Sequence, residues 1–234
     1  MIKLKEILKE GVYDPGIFKA VFTAGGPGSG KSYTASTLFG MPEKMPFVSA
    51  QGLKGVNSDS AFETYLDQAG LSHDVKSLNP DEYSKAMELR NQAKRVTVKR
   101  MHGYINGKLG MLIDGTGKNY NKIANMKVDL QRHGYDCYMV FVNTTLEVAI
   151  ERNEKRPRKV PLDILKQGWH AVQDNMGRFQ TLFGSGNMLI VDNSTYKQFP
   201  SVVKKAASSF VNRPIKNHVA KQWIKTELEL KKSI

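Results

Sequence analysis

Cysteine is nearly absent from this chain. Cys137 stands alone among 234 residues, which excludes an intrachain disulfide and any cysteine-based zinc cluster. It lies in a strand-like run, where a thiol reads as a buried, inert side chain rather than a nucleophile. The five histidines show no ligand spacing. No apolar run approaches the roughly 20 residues needed to cross a bilayer. The first residues, Met1 to Leu8, alternate charges with aliphatics and lack the uninterrupted core of a signal peptide. A cytoplasmic location is the expectation. Acid is also scarce, with 22 Asp and Glu against 35 Lys and Arg, a net charge of +13. Residues 195–234 concentrate that excess, holding nine Lys or Arg against Glu227 and Glu229. Such asymmetry suits a polyanion such as nucleic acid, and equally suits a solvated surface; charge alone does not separate the two.

What is present is more specific. Gly25-Gly26-Pro27-Gly28-Ser29-Gly30-Lys31-Ser32 fits G-x-x-x-x-G-K-[ST] at every specified position. Phe18 to Ala24 before it suits a buried strand, and Lys31 to Phe39 after it suits a helix. Glycines let the backbone curl so that successive N–H groups point into one concavity and meet phosphate oxygens. The helix adds its positive end. In this pattern Lys31 reaches the β- and γ-phosphates and the Ser32 hydroxyl ligates Mg²⁺. Gly25 through Ser32, with the adjoining Tyr33, are therefore the candidate nucleotide-binding residues.

The rest of the chain alternates strand and helix patterns. Gly40 to Lys54 reads as loop, and Gly55-Val56-Asn57 as the end of a second strand. Residues 60–106 read as mostly helical, with Asn79 an N-cap and Pro80 at the first position of a long helix to Asn106. Strands are expected over Leu109–Asp114, Tyr135–Val142 and Met188–Val191. Helices are expected over Asn121–His133, Leu146–Arg156 and Pro161–Phe183, with two more beyond residue 195. This alternation predicts a parallel five-stranded sheet sandwiched between helices.

Functional residues of parallel sheets gather at the carboxyl ends of strands. Asp114 follows the third strand, as a Mg²⁺-supporting acid does; it would equally orient Lys31 or the acceptor, or cap a turn. Asp192 before Asn193 and Ser194 reads as a turn residue. Asp59 follows the second strand, where a phosphotransferase benefits from a carboxylate that takes the acceptor's proton. Asn57-Ser58-Asp59-Ser60 also reads as a helix cap. Arg152 and Arg156 are four apart, so they are expected on one face of a helix ended by Pro157. Beside a phosphate loop they suit a lid that closes over transferring oxygens, and without one an exposed basic helix end.

From the phosphate loop to about residue 177 the chain resembles the kinase domain of phage-type polynucleotide 5′-kinases. More loosely it resembles the zeta-toxin kinases, which phosphorylate nucleotide sugars. The carriers are G-G-P-G-S-G-K-S, Val56-Asn57-Ser58-Asp59, Leu112-Ile113-Asp114-Gly115-Thr116, Gly134-Tyr135, Arg152-Asn153-x-Lys155-Arg156 and Val160-Pro161-Leu162-Asp163. The resemblance implies a P-loop kinase that uses ATP and Mg²⁺ and acts on a hydroxyl acceptor. Asp59 would be the general base, Asp114 the acid near acceptor and lysine, and Arg156 the lid arginine, with Arg152 a further lid cation. It divides the chain into a kinase domain over 1–194 and a basic helical extension over 195–234. Within the kinase domain, 60–106 would be an acceptor-side helical insertion and 151–161 a lid.

The polynucleotide kinases carry arginine three residues after the base, where this chain has Phe62. A phenylalanine there would stack on a base or sugar face but cannot pair with phosphate. The acceptor therefore stays open between a nucleic acid 5′ end, which the basic extension would contact, and a nucleotide or nucleotide sugar. Other classes fit less well. A hydrolytic motor commonly has a glutamate directly after the strand-three acid, and here Gly115 follows. A nucleic-acid-binding module with a vestigial ATP site would not keep Lys31, Ser32, Asp59 and Asp114.

Overall fold

The computed structural model describes residues 11–42, 47–75, 77–156, 159–195 and 198–232. Five parallel strands form one sheet: β1 (Lys19–Ala24), β2 (Lys54–Val56), β3 (Met111–Asp114), β4 (Asp136–Asn143) and β5 (Met188–Asp192). Their spatial order is β2-β3-β1-β4-β5, so β1 and its loop lie at the centre. Every ladder is parallel, with Thr23 beside Asp114 and Val56 beside Ile113. The eight helices described are α1 (Lys31–Phe39), α2 (Ser58–Gln68), α3 (Pro80–Asn106), α4 (Tyr120–Arg132), α5 (Leu146–Glu154), α6 (Leu162–Phe183), α7 (Ser201–Asn212) and α8 (His218–Lys232).

Side chains alternate across the strands and fill two cores. Ala20, Phe22, Met111, Ile113, Met139 and Phe141 meet α4, α6 and α8 on one face. Val21, Leu112, Val140 and Val142 meet α1 and α7 on the other. A third, smaller core joins α2 to α3 through Ala61, Phe62, Leu66, Ala86 and Ala93. The helices of residues 195–234 belong to this packing. Phe210 and Val211 of α7 are buried, and Trp223 of α8 meets Phe18 edge-on at 5.5 Å. Among the described residues no helix is long and apolar enough to cross a membrane.

Three strands start later than the sequence suggests, β1 and β4 by one residue and β3 by two. Phe18 and Lys108 adopt left-handed backbone (φ 54 and 59), which interrupts extended chain before β1 and β3. The turns meet, since the Phe18 N–H donates to the Lys108 carbonyl at 3.0 Å. A further difference concerns the lid helix. α5 ends at Glu154, so Arg156 lies beyond it in a turn and does not share a helical face with Arg152. The buried Asn153 explains the stop, because its amide accepts from the Val160 N–H at 2.9 Å and donates to the Val160 carbonyl at 2.8 Å. Pro157, expected to end the helix, lies outside the described residues.

Candidate active site

The phosphate loop links β1 to α1, and its neighbours explain its glycines. Gly28 (φ 79) packs so closely on α5 that a Cβ would lie 2.5 Å from the Ala149 carbonyl oxygen. Gly30 (φ 82) leaves room for the buried Asn193 side chain. Asn193 donates from Nδ2 to the Ser29 carbonyl at 2.8 Å. Gly26 backs onto Trp169 of α6, and Pro27 onto Gly168. The Trp169 indole N–H is fixed on the Thr144 carbonyl at 2.9 Å. Ser29 is buried, and its hydroxyl has no hydrogen-bond partner among the described residues. The loop is thus held from behind by α5, α6 and the end of β5. Asp192, one residue earlier, accepts from the Ser194 backbone and hydroxyl, as a turn residue does.

Lys31 donates to the Gly25 carbonyl at 2.8 Å and makes no salt bridge among the described residues. Burial holds its pKa below the ordinary lysine value; Asp114 opposes that shift, Arg156 adds to it and Asp59 opposes it. Thr23, Lys31, Ser32, Asn57 and Asp114 line one cavity of about 100 Å³. Asp114 accepts from the Thr23 hydroxyl at 2.8 Å on one oxygen and from the Asn57 amide at 3.0 Å on the other. Asp59 sits in the first turn of α2, where its N–H donates to Asn57 Oδ1 at 2.7 Å. Its carboxylate is exposed and forms no hydrogen bond or ion pair among the described residues. Asn57 is therefore the cap of this helix.

Arg152 donates from Nη1 to the Gly28 and Ser29 carbonyls at 3.4 Å each, which places it over the phosphate loop. Arg156 is exposed in the turn after α5. Tyr33 packs its ring against Phe199 at 5.6 Å. The stacking role considered for Phe62 is corrected. Phe62 is only 1% exposed, inside the α2–α3 core, because that pairing needs an apolar face. Over its ring lies the Arg90 guanidinium of α3, at 5.7 Å. Thr23, Asn193 and Trp169 were not legible as site residues, and Asn57 only as part of a motif. Position just past a strand's carboxyl end is the one signal that marks Asn57 and Asn193.

The donor set suits Mg²⁺. Ser32 and Asp114 offer hard oxygens to the same cavity, and a carboxylate with two hydrogen bonds retains lone pairs. Mg²⁺ keeps several waters and binds through few protein oxygens plus phosphates, so two donors suffice. No group of three or more His, Cys, Asp or Glu converges among the described residues.

The chain matches the zeta toxin family over residues 9–203, and it belongs to that family. It is a P-loop kinase. Among solved structures it is similar to AvrRxo1-ORF1 in complex with AvrRxo1-ORF2, at 14% identity and TM-score 0.55, over 75% of this chain and 55% of that one. A structure from the PezAT toxin–antitoxin system of Streptococcus pneumoniae matches at 14% identity and TM-score 0.50, over 83% and 86%. A kinase-like protein of Chloroflexus aurantiacus matches at 13% identity and TM-score 0.49, over 92% and 97%. At 14% identity the likeness to the first two concerns the fold. No curated protein matches the sequence.

Proposed function

We propose that this kinase transfers the γ-phosphoryl group of ATP to a hydroxyl on a phosphate-bearing acceptor, a nucleotide or the 5′ end of a nucleic acid. The observation that carries this reading is the contrast between the two acids. Asp114 has both oxygens engaged by neutral donors. Asp59 is exposed, with a carboxylate that no group engages among the described residues, and its charge opposes the lowering of the Lys31 pKa. A base must be free to take a proton, so Asp59 takes the acceptor's as the hydroxyl oxygen bonds to the γ-phosphorus. The bond to the bridging oxygen of the leaving diphosphate then breaks. Lys31 tracks the phosphates, and Arg152 and Arg156 stabilise charge on the transferring oxygens. Ser32 and Asp114 would hold Mg²⁺, which supplies charge neutralisation on the phosphates.

The acceptor class rests on α3. Asp59 and Phe62 lie three residues apart on α2, about one helical turn, and the Arg90 guanidinium lies over the Phe62 ring at 5.7 Å. Arg90 is half-buried and has no carboxylate partner among the described residues, a setting that suits an acceptor phosphate. A nucleic acid acceptor is further favoured by Lys94, Arg95, Lys99 and Arg100, which follow on the same helix with no acid from Leu89 to Asn106.

The test is transfer from γ-labelled ATP with Mg²⁺ to 5′-hydroxyl DNA and RNA oligomers, nucleosides, nucleotides and nucleotide sugars. Asp59→Asn should lower transfer by about 10²- to 10⁴-fold while leaving ATP binding nearly unchanged. Arg90→Ala should raise KM for phosphate-bearing acceptors and spare nucleosides. Full transfer by Asp59→Asn would return Asp59 to a plain helix-start residue.

A further inference from the structure

Asn57 does more than an N-cap needs. A cap requires only an oxygen that accepts from the first turn of the helix, which serine or aspartate supplies as well as asparagine. Asn57 uses its oxygen in that way, on the Asp59 N–H at 2.7 Å. Its Nδ2 then reaches across to Asp114 Oδ2 at 3.0 Å. Strand register makes this contact available. Val56 pairs with Ile113, so the next residues along β2 and β3 are neighbours. Thr23, paired with Asp114 on the other side, closes the row at 2.8 Å. One amide therefore ties the start of α2, which carries Asp59, to the end of β3, which carries Asp114.

Resting on the kinase reading above, we propose that Asn57 is a positioning residue that sets the base Asp59 relative to Asp114 and the phosphate-loop cavity. α2 gives this tie its importance. The helix packs chiefly on α3 through a small core separate from the two that flank the sheet, while β2, which leads into it, is only three residues long. Without the amide bridge, the start of α2 would keep the β2–β3 ladder and its packing on α3 but no side-chain tie to Asp114, and the base would lose its fixed distance from the phosphates. Misplacement by about 1 Å is enough to cost about 10²-fold in rate.

Asn57→Ser separates the cap from the bridge. Serine caps as well as asparagine, but its shorter side chain does not extend to Asp114. The expected result is a small fall in melting temperature, as the loss of one part-buried hydrogen bond gives, kcat lower by about 10- to 100-fold, and an unchanged KM for ATP. The same substitution in an Asp114→Ala background should change kcat by less than about two-fold, since residues acting through one contact are non-additive. An Asn57→Ser enzyme with parental kcat, or a loss that multiplies fully with that of Asp114→Ala, would overturn the proposal. The failure of the kinase reading has a different signature, a parent that transfers phosphate to no acceptor in the panel. In that event the same four proteins are compared by urea unfolding, where additive stability losses refute the Asn57–Asp114 tie without any activity measurement.

Discussion

The two ends of the sheet handle charge in opposite ways. At the amino ends, Lys19 is paired with Asp136 at 3.1 Å and Lys54 with Asp14 at 2.6 Å, each pair involving a nearly buried partner. Asp136 also accepts from the Lys216 and Asn217 N–H groups at 2.9 and 3.1 Å, which anchors the approach to α8. At the carboxyl ends, Lys31 rests on a carbonyl, Asp114 is met by neutral donors and Asp59 by none among the described residues. Both ends bury lysine at a cost, since desolvation is the first cause of the lowered pKa at Lys19 and at Lys31. The amino end offsets that cost with an ion pair. The carboxyl end leaves the charge for a ligand. Stability resides in one end and chemistry in the other.

The sharpest test of that contrast is Lys31→Met. Transfer should fall by about 10³-fold or more, because the charge that follows the phosphates into the transition state is gone. Stability should not fall with it. The folded-state pKa lies below the unfolded 10.5, so the folded protein binds fewer protons between the two values and stability rises with pH through that window. The variant should therefore melt higher than the parent at neutral pH, by a margin that shrinks as pH approaches 10.5. A variant that melts well below the parent at neutral pH would break the comparison.

Asp136→Asn addresses the opposite end. It leaves Lys19, only 2% exposed, without its countercharge, and urea unfolding should report a loss of about 3–5 kcal/mol. The turnover of the folded fraction should match the parent's. A turnover defect larger than the stability defect would mean that the two ends are coupled.

The smallest effect is expected from the lysines of α8. This helix packs at Phe18, before β1, whereas the phosphate loop follows Ala24; the six residues of β1 separate them, about 20 Å at strand rise. Deleting the helix would also remove Trp223 from the core, so substitution of surface charge is the cleaner experiment. Lys221, Lys225 and Lys232 changed together to alanine should leave nucleotide acceptors untouched. For oligonucleotides long enough to reach α8, the log–log salt slope should drop by about 0.7 for each phosphate that the protein no longer engages. An unchanged slope would assign these lysines to solvent.

Chemical reactivity offers a further measure of the core. Burial pushes the Cys137 thiol up to about 12, so alkylation of the folded protein near pH 8 should be far slower than that of the urea-unfolded chain. Comparable rates would mean that β4 opens readily.

The fold was largely legible because its signals are local. Alternating apolar runs, Asn79-Pro80 as a helix start and glycines after strands act within a few residues, and those elements stand near their expected bounds. The phosphate loop was legible for the same reason, since phosphate binding requires contiguous backbone. Arg156 was misplaced on a helix because Asn153 turns the chain by bonding to Val160, seven residues on. Phe62 was misread as available for stacking because its burial depends on α3, beginning 18 residues later.

By itself, then, the sequence determined a parallel α/β domain, a phosphate loop with Lys31 and Ser32, and the acids just after strand two and at the end of strand three. Tertiary structure alone decided which charges are paired and which are free. It joined Asn57 to Asp114, set Asn193 and Trp169 behind the phosphate loop, and laid Arg90 over Phe62. It also folded the basic extension into the core, α7 against α1 and α8 beside Phe18 at the amino end of β1. The reason is physical: a motif records what one stretch of backbone must do, whereas pairing, burial and distance between charges arise only when separate strands and helices meet.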